Sequence, residues 1–294
     1  MNYWIAVDWG TTNFRAYLMD QTAVVIDKVE SHQGLLSISD KEFATTLLNN
    51  ISKWQAITDL ATTSIYMAGM VGSKQGWREV DYLPMPFALS NIKHKLFKFL
   101  LPWNVNAFIV PGICGMNKFG WYDVMRGEET QLLGLRNIVK ADNIVALLPG
   151  THSKQAIMEK DKLISFSTIM TGELFSLLNR HSILTKNIAE EYDDQDGFLL
   201  GVKNGYDHPL SSVLFSARTL LLNHTLSSNQ VRSYLSGLLI GNEISLLGEH
   251  DEFYIVGSTG ISEKYLVASR YLNKSAEIID GEHCFLEGMA QIKK

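Results

Sequence analysis

A short polar turn near the start of the chain carries the residue types best suited to binding a phosphate. An apolar run ends in Asp8, the turn Gly10-Thr11-Thr12 follows, and apolar residues then resume, which predicts a strand, a tight turn and a second strand. Consecutive backbone amides in such a turn form a concave site for an anion, and a carboxylate suits a phosphate-bound Mg²⁺. The segment alone is equally compatible with a plain hairpin whose glycine and threonines serve only the turn.

Two later turns offer further contacts for a nucleotide. The apolar run 144–150 leads into residues 151–154, Thr-His-Ser-Lys, which supply hydroxyls, amides and a cation. Taken alone, this segment is a polar hairpin. Together with the Asp8 turn it favours a phosphate-binding site, because a triphosphate needs contacts from both sides. Residues 257–260, Gly-Ser-Thr-Gly, follow another apolar run and could pass under a nucleotide base. No Walker sequence occurs, so a P-loop fold is not expected.

A third motif could supply a general base. Residues 127–131, Gly-Glu-Glu-Thr-Gln, place Glu128 at the start of a helix predicted over 128–137, with Asp123 and Arg126 just before it. A carboxylate within about 3 Å of a substrate hydroxyl can accept its proton during phosphoryl transfer. Acids in a first helical turn also stabilise the helix through its dipole, and the motif taken alone favours that structural role.

The loop at residues 69–77 has a composition suited to a sugar or an acid. It follows a predicted strand and contains three glycines, which allow the backbone to approach a ligand closely. The candidate pocket residues are Gly72, Ser73, Lys74, Gln75 and Trp77. A flexible surface loop is the alternative, but a tryptophan predicted to be exposed among polar neighbours favours a pocket.

Composition argues against several classes of function. The chain has 294 residues and a net charge of −5, so no basic surface is expected for nucleic acid or anionic lipid. Cys114 and Cys284 are far apart and no Cys-His cluster occurs, which argues against zinc and against a disulfide scaffold. Because there is neither a signal-like leader nor an apolar run of about 18 residues, we expect a cytoplasmic protein without a membrane partner.

Strand and helix patterns alternate along the chain, which favours an α/β architecture. Apolar residues have helical spacing at 41–58, 173–184 and 211–226, and strand patterns include 64–67, 107–113, 163–166 and 253–256. The strand, Gly-Thr turn and strand near residue 10 recur near residue 150, which would be explained by two similar halves facing each other across a cleft. We place the boundary within 138–143 and expect domains at 1–140 and 141–294.

The order of these motifs resembles that of the sugar kinase, actin and heat-shock-chaperone superfamily. Within it, the chain is similar to the 2-dehydro-3-deoxygalactonokinase family in long motifs at residues 67–77, 123–131 and 148–154, the last accompanied by 170–175. The resemblance covers essentially the whole chain. It implies two ribonuclease-H-like, actin-like ATPase domains with ATP and Mg²⁺ in the cleft, the first domain holding a sugar acid and the second the nucleotide.

By position, the resemblance implies a role for each candidate residue. Asp8 would coordinate the metal. Glu128 stands where related carbohydrate kinases often carry Asp in a Gly-Asp-Gln sequence, and because its side chain is longer, Asp123 is kept as the alternative base. The ATP and phosphate contacts would be Gly10, Thr11, Thr12, Gly150, Thr151, Ser153, Gly257 and Ser258. Since the substrate is itself a carboxylate, the cations to consider with the 69–77 loop are Arg15, Lys74 and Arg126.

The implied reaction is transfer of the γ-phosphate of ATP to the 6-hydroxyl of 2-dehydro-3-deoxy-D-galactonate, a step of galactonate catabolism. Glu128 would orient or deprotonate that hydroxyl, and catalysis would come mainly from positioning and charge neutralisation. One alternative is a kinase of the same fold that acts on another sugar or keto-acid. The other is a non-enzymatic actin-like ATP-binding protein, against which the 69–77 loop and Glu128 argue. The expected partners are small molecules, and a homodimer is the assembly considered.

Overall fold

The computed structural model describes residues 2–39, 42–186, 188 and 193–294. The chain forms two compact units. Unit 1 consists of Met1–Asn143, Ile157–Phe166 and Gly281–Lys294, and unit 2 consists of Ile144–Ala156 and Ser167–Asp280. The first break between units lies next to the boundary predicted within 138–143, whereas two later segments of the chain return to unit 1.

Strands and helices alternate, as the sequence predicts. The strands are β1 (Trp4–Trp9), β2 (Phe14–Met19), β3 (Val25–Ser31), β4 (Ile65–Gly69), β5 (Leu83–Pro84), β6 (Phe87–Ala88), β7 (Phe97–Leu100), β8 (Asn106–Ile109), β9 (Ile113–Met116), β10 (Tyr122–Met125), β11 (Asn143–Leu148), β12 (Ser153–Glu159), β13 (Lys162–Ile169), β14 (Glu252–Gly257) and β15 (Ser275–Asp280). The helices are α1 (Phe43–Ile51), α2 (Glu128–Val139), α3 (Thr171–His181), α4 (Gln195–Asp207), α5 (Leu210–Val213), α6 (Ser216–Leu222), α7 (Val231–Ser245), α8 (Thr259–Tyr271) and α9 (Gly281–Lys293).

The main sheet of unit 1 brings the ends of β1 and β4 together. Its strand order is β3-β2-β1-β4-β8-β7. β1 pairs antiparallel with β2, which sets Asp8 opposite Arg15, and it pairs parallel with β4, which sets Trp9 opposite Gly69. Because parallel neighbours run in the same direction, the Asp8 turn and the loop after β4 begin at the same edge of the sheet.

Helix α1 covers the core of unit 1 with one apolar face. Phe43, Leu47 and Ile51 are each four residues apart and all are buried, as expected for one side of a helix. They pack in one cluster with Trp9 and Phe14 of the sheet. The helical pattern read over 41–58 is confirmed for α1 and ends in a short 3-10 turn, while residue 41 itself lies outside the described residues.

Unit 2 contains the neighbouring strands β15, β14 and β11, with the first residues of β12 and the last residues of β13. The first residues of β13 pair with β6, both within unit 1. The strands read at 144–150 and 253–256 are confirmed as β11 and β14, and α3 confirms the helix read at 173–184. The mainly helical segment read over 211–226 is confirmed, and it divides into α5 and α6. At the break the Ser216 hydroxyl donates to the carbonyl of Val213, a local bond that competes with helix propagation.

The architecture is α/β, as predicted. Among the residues that the structure describes, no helix combines the length and apolar character needed to cross a bilayer.

Candidate active site

The Asp8 turn presents its polar groups to one side. The amide of Gly10 donates to the carbonyl of Asn13 at 2.9 Å, which closes the turn between β1 and β2. The carbonyls of Gly10, Thr11 and Thr12 accept backbone hydrogen bonds from residues 34–36. Both threonines are exposed. With its carbonyls held by a neighbouring segment, the turn can offer hydroxyls and amides to an anion.

Asp8 lies in a charged environment at the end of β1. Its carboxylate is 3.5 Å from Nη1 of Arg15, whose Nε is 3.3 Å from Glu30. Burial raises the pKa of Asp8 to about 6, and the negative charges of Glu128 and Glu282 act in the same direction against the opposing charge of Arg15. A divalent cation would stabilise the ionised form of this carboxyl, since opposite charge favours ionisation. The side chain is one-third exposed and can therefore reach a ligand.

The start of α2 holds two acids with different environments. Gly127 has a φ of 113°, a value that L side chains rarely adopt, and this bend begins the helix. Glu128 is partly exposed, and its Oε2 accepts a hydrogen bond from the amide of Arg126 at 3.1 Å. Glu129 is fully buried and accepts one from the amide of Gly127 at 2.7 Å. Burial raises the pKa of Glu129 to about 8, and the nearby charge of Glu128 adds to the effect.

Sequence reasoning missed Glu129. Successive helical residues point about 100° apart, so two adjacent acids at a helix start cannot face the same surroundings. That spacing was the available signal that one acid of the pair faces inward.

A buried guanidinium lies beneath the 69–77 loop. Arg126 is 9% exposed, donates from Nη2 to the carbonyl of Val80 at 2.7 Å and stacks 4.2 Å from the ring centre of Tyr82. Within the described residues, its Nε and Nη1 have no hydrogen-bond partner, and neither does the buried hydroxyl of Ser73. A Cβ added to Gly72 would lie 2.8 Å from Nη1. Since buried unpaired donors are costly, this set fits an anionic ligand.

The rest of the loop is divided between surface and core. Lys74 and Gln75 are exposed. Trp77 is only partly exposed, contrary to the expectation of an exposed tryptophan. Its ring packs against Phe43 at 6.1 Å and Phe99 at 5.2 Å between centres, at the rim of the unit 1 core. The aromatic neighbours come from α1 and β7, which are distant in sequence.

Asp123 has a structural place in the hairpin before α2. Its Oδ2 accepts from Nδ2 of Asn117 at 3.1 Å and its Oδ1 from the amide of Val124 at 2.8 Å. The carboxylate therefore links the turn of the β9–β10 hairpin to β10.

The Gly150 turn in unit 2 exposes backbone and buries its serine. Gly150 and Thr151 are exposed, and a Cβ at Gly150 would meet nothing within 4 Å. The side chain of Ser153 is fully buried, and its hydroxyl accepts from the Gly150 amide at 3.2 Å. The Ser153 hydroxyl therefore supports the turn from beneath, and its contact with a phosphate stays a prediction. Lys154 is also buried and donates to the carbonyl of His152 at 3.1 Å.

A mainly apolar cavity adjoins the Gly150 turn within unit 2. Its volume is about 240 Å³. The lining residues are Gly150, Thr171, Gly172, Phe175, Ser236, Leu239, Ile240, Gly260, Ile261, Lys264 and Tyr265. Gly257 and Ser258 immediately precede α8, whereas Thr259 and Gly260, read as part of the same turn, form its first residues.

The two α/β units, each with a Gly-Thr turn after a strand, have the fold of the actin-like ATPase and sugar kinase class. Component A of (R)-2-hydroxyglutaryl-CoA dehydratase from Acidaminococcus fermentans has a similar structure, with a TM-score of 0.53 and 11% identity over 100% of both chains. At that identity the likeness shows the fold alone.

The chain belongs to the 2-keto-3-deoxy-galactonokinase family, whose sequence profile matches residues 8–292. It is 32% identical to the 2-dehydro-3-deoxygalactonokinase of Escherichia coli (strain K12) over 98% of this chain and 97% of that one. A crystal structure from Sinorhizobium meliloti, described as a candidate 2-dehydro-3-deoxygalactonokinase, has a TM-score of 0.89 and 33% identity, covering 99% of this chain and 96% of that one. The chain is therefore a member of a carbohydrate kinase family.

Proposed function

We propose that this chain transfers the γ-phosphate of ATP to the 6-hydroxyl of 2-dehydro-3-deoxy-D-galactonate. The near full-length similarity to the Escherichia coli enzyme supports the reaction class and the substrate. The narrower choice of an acidic sugar also has a physical basis in this chain.

The observation that carries the substrate choice is the buried Arg126. Two of its nitrogens and the neighbouring Ser73 hydroxyl have no partner among the described residues, although all are buried. A planar guanidinium with free donors matches the geometry of a carboxylate. A neutral sugar would leave the charge of Arg126 uncompensated. Lys74 and Gln75, exposed on the same loop, are proposed to contact the outer part of the substrate.

Glu128 is the proposed base. It is partly exposed at the start of α2, beside the backbone of Arg126, so a substrate whose carboxylate binds Arg126 could place a hydroxyl near it. Asp123 is a weaker candidate because both of its oxygens already accept hydrogen bonds within the hairpin. The role of Glu128 would be to accept the hydroxyl proton as phosphoryl transfer proceeds.

The residues of the Asp8 turn fit a magnesium-bound phosphate. Among described residues, no group of three or more acids, histidines or cysteines is close enough to hold a metal alone, so Asp8 would share Mg²⁺ with phosphate oxygens and water. Bound Mg²⁺ supplies charge neutralisation of the phosphates. Thr11 and Thr12 would contact the phosphates, and Arg15 balances part of the charge of Asp8.

The nucleotide is proposed to bind unit 2. The exposed Gly150 and Thr151 would contact phosphates, and the adjoining cavity has the apolar lining that suits an adenine ring. Gly257 and Ser258 would act through the start of α8, whose Gly260 and Ile261 line the cavity. The functional division into a sugar-acid domain at 1–140 and a nucleotide domain at 141–294 remains a prediction.

The test is a coupled assay of ADP release with ATP, Mg²⁺ and a panel of sugars and aldonic acids. We expect the highest kcat/KM for 2-dehydro-3-deoxy-D-galactonate and a large loss for an analogue whose carboxylate is replaced by an alcohol. Equal rates with the neutral analogue would contradict the role of Arg126. A clear preference for another sugar would instead favour a kinase of the same fold with a different substrate, and ATP binding without any transfer would favour a non-enzymatic protein.

The cytoplasmic location and the homodimer also remain predictions. Sedimentation of the purified chain at several concentrations would measure the assembly.

A further inference from the structure

Glu243 is a fully buried acid in the centre of unit 2 that belongs to none of the sequence motifs. Its Oε2 accepts hydrogen bonds from the hydroxyls of Thr171 and Tyr265, the latter at 2.5 Å. Its carboxyl also hydrogen-bonds Ser153, and its backbone carbonyl accepts from Nε2 of Gln155. One residue of α7 thus joins the start of α3, the middle of α8 and the start of β12.

The partners of Glu243 surround the Gly150 turn. The hydroxyl of Ser153 accepts a hydrogen bond from the amide of Gly150 at 3.2 Å. In the first turn of α3, Gly172 packs so closely against the Gly150 carbonyl that an added Cβ would clash with it. The amide of Glu173 donates to the carbonyl of Thr151 at 3.0 Å. The position of the turn therefore depends on where α3 begins and on the orientation of Ser153.

The same carboxyl also bears on the cavity, because Thr171 and Tyr265 line it. Holding an acid in this interior is unfavourable: burial raises the pKa of Glu243 to about 7, against the opposing hydrogen bonds of its hydroxyl partners. Its Oε1 has no hydrogen-bond partner within the described residues. An apolar side chain of similar size would avoid this desolvation. The carboxyl is therefore better explained by the groups it orients than by stability.

We propose that Glu243 is a positioning residue for nucleotide binding: by fixing Thr171, Tyr265 and Ser153 together, it sets the Gly150 turn and one wall of the cavity before ATP arrives. The inference rests on the proposed placement of the nucleotide in unit 2. Because its side chain is fully buried, Glu243 acts through its partners and does not contact the nucleotide. Preset groups bind more tightly because less ordering is required on binding.

The test compares Glu243→Ala with Glu243→Gln by steady-state kinetics, varying ATP and the sugar acid separately. Loss of an oriented hydrogen-bond network of this kind should raise KM for ATP about 10-fold in Glu243→Ala. We expect kcat and KM for the sugar acid to stay within about twofold. Glu243→Gln, which keeps an acceptor oxygen for Thr171 and Tyr265, should restore most of the ATP affinity. An unchanged KM for ATP, or equal changes in every parameter, would overturn the proposal.

If Glu243→Ala does not fold, Tyr265→Phe provides the same readout, because it removes one hydrogen bond to the carboxyl and keeps the ring. The matched control is Tyr234→Phe. Tyr234 is also fully buried in unit 2, but its hydroxyl bonds Asn204 and Ser216 and it does not line the cavity. The Tyr234→Phe variant should have a lower melting temperature and an unchanged KM for ATP. A selective rise of KM for ATP in Tyr234→Phe would count against the proposal. So would an unchanged KM for ATP in Tyr265→Phe.

The placement of the nucleotide is tested independently by Gly260→Trp. Gly260 lines the cavity, and an added side chain would meet nothing within 4 Å at its Cβ. Filling the cavity should raise KM for ATP at least about 10-fold. If it does not, the placement in unit 2 is wrong. If it does and the Glu243 and Tyr265 variants have no effect, the placement stands and the positioning role fails.

Discussion

The two Gly-Thr turns of this kinase each follow a strand of an α/β sheet but have different surroundings. The turn after β1 carries Asp8, which pairs with Arg15 and whose pKa is raised by the nearby negative charges of Glu128 and Glu282. The turn after β11 is held by hydroxyl and backbone groups, with a mainly apolar cavity beside it. We infer that unit 1 provides the charges that act on the transferring group, whereas unit 2 provides shape for the nucleotide.

Among the described residues, each unit nevertheless has a buried glutamate, near the start of α2 in unit 1 and near the Gly150 turn in unit 2. Glu129 in unit 1 accepts a hydrogen bond from the backbone amide of Gly127 and thereby fixes the residue before Glu128. Glu243 in unit 2 accepts hydrogen bonds from hydroxyls on different elements. The first arrangement aims a charged side chain, and the second sets the walls of a cavity. Variants at Glu128 and Arg126 of unit 1 should therefore change kcat or sugar-acid binding, and variants around Glu243 in unit 2 should change KM for ATP.

The largest effect is expected for Glu128→Gln. The amide keeps the size of the side chain but cannot accept the substrate proton, so kcat should fall by about 10²- to 10⁴-fold. KM for ATP should change little, because Glu128 is proposed to contact the substrate hydroxyl and not the nucleotide. Single-turnover and steady-state measurements of ADP release would give both parameters.

Asp123→Asn is the comparison for that variant. Since Asn117 and Val124 both donate to the Asp123 carboxylate within the hairpin, we expect a structural role and a kcat within a few-fold of the unchanged chain. A greater loss in Asp123→Asn than in Glu128→Gln would assign the base to Asp123.

The next effect is expected for Arg126→Met. The methionine retains apolar packing beside Tyr82 but removes the donors proposed for the substrate carboxylate. Loss of a charge-assisted hydrogen bond of about 1.5–3 kcal/mol predicts a rise in KM for the sugar acid of about 10- to 100-fold. KM for ATP should not change. The neutral alcohol analogue should be used equally poorly by both proteins, and an additional loss with that analogue would indicate a folding defect instead.

The two turns, the start of α2 and the α/β class could be predicted from the sequence. The apolar runs and the glycines between them predicted both turns, and the paired acids predicted the start of α2 at Glu128. Local spacing carries this information because a turn and a helix start are determined by residues close in sequence. The alternation of strands and helices likewise predicted the α/β class.

Burial could not be predicted in the same way, because it depends on elements that are distant in sequence. Trp77 looks exposed among polar neighbours but packs on aromatic rings from α1 and β7. Ser153 looks like a phosphate ligand but is covered, and its hydroxyl serves the turn. Nothing in the sequence around Glu243 predicted its role. It lies within a mainly apolar helix, and the partners of its carboxyl come from three other elements.

A smaller effect, confined to the ATP side, is expected for Gly172→Ala. The added methyl would clash with the carbonyl of Gly150, and backbone can yield only by moving the turn. A strain of about 1 kcal/mol predicts a rise in KM for ATP of about fivefold, with little change in kcat. Gly201→Ala, whose methyl would clash with the Tyr234 carbonyl away from the cavity, is the control and should lower the melting temperature without raising KM for ATP. A loss of kcat in Gly172→Ala would show that unit 2 also acts on the chemical step.

The smallest effect on activity and the clearest effect on stability are expected when the two buried acids are made amides. Both carboxyls have folded pKa values above the ordinary 4.5, about 8 for Glu129 and about 7 for Glu243. The folded state therefore holds protons that the unfolded state releases, so the free energy of unfolding falls as pH rises above 4.5, by at most about 1.4 kcal/mol per pH unit for each group. The fall should stop near pH 7 for Glu243 and near pH 8 for Glu129. The measurement is urea unfolding from pH 5 to 9. In Glu129→Gln the part of the fall in unfolding free energy that extends to about pH 8 should disappear. In Glu243→Gln the part that ends near pH 7 should disappear. Identical pH profiles for both variants and the unchanged chain would show that neither acid holds a proton in the fold, and that the two units do not differ in this respect.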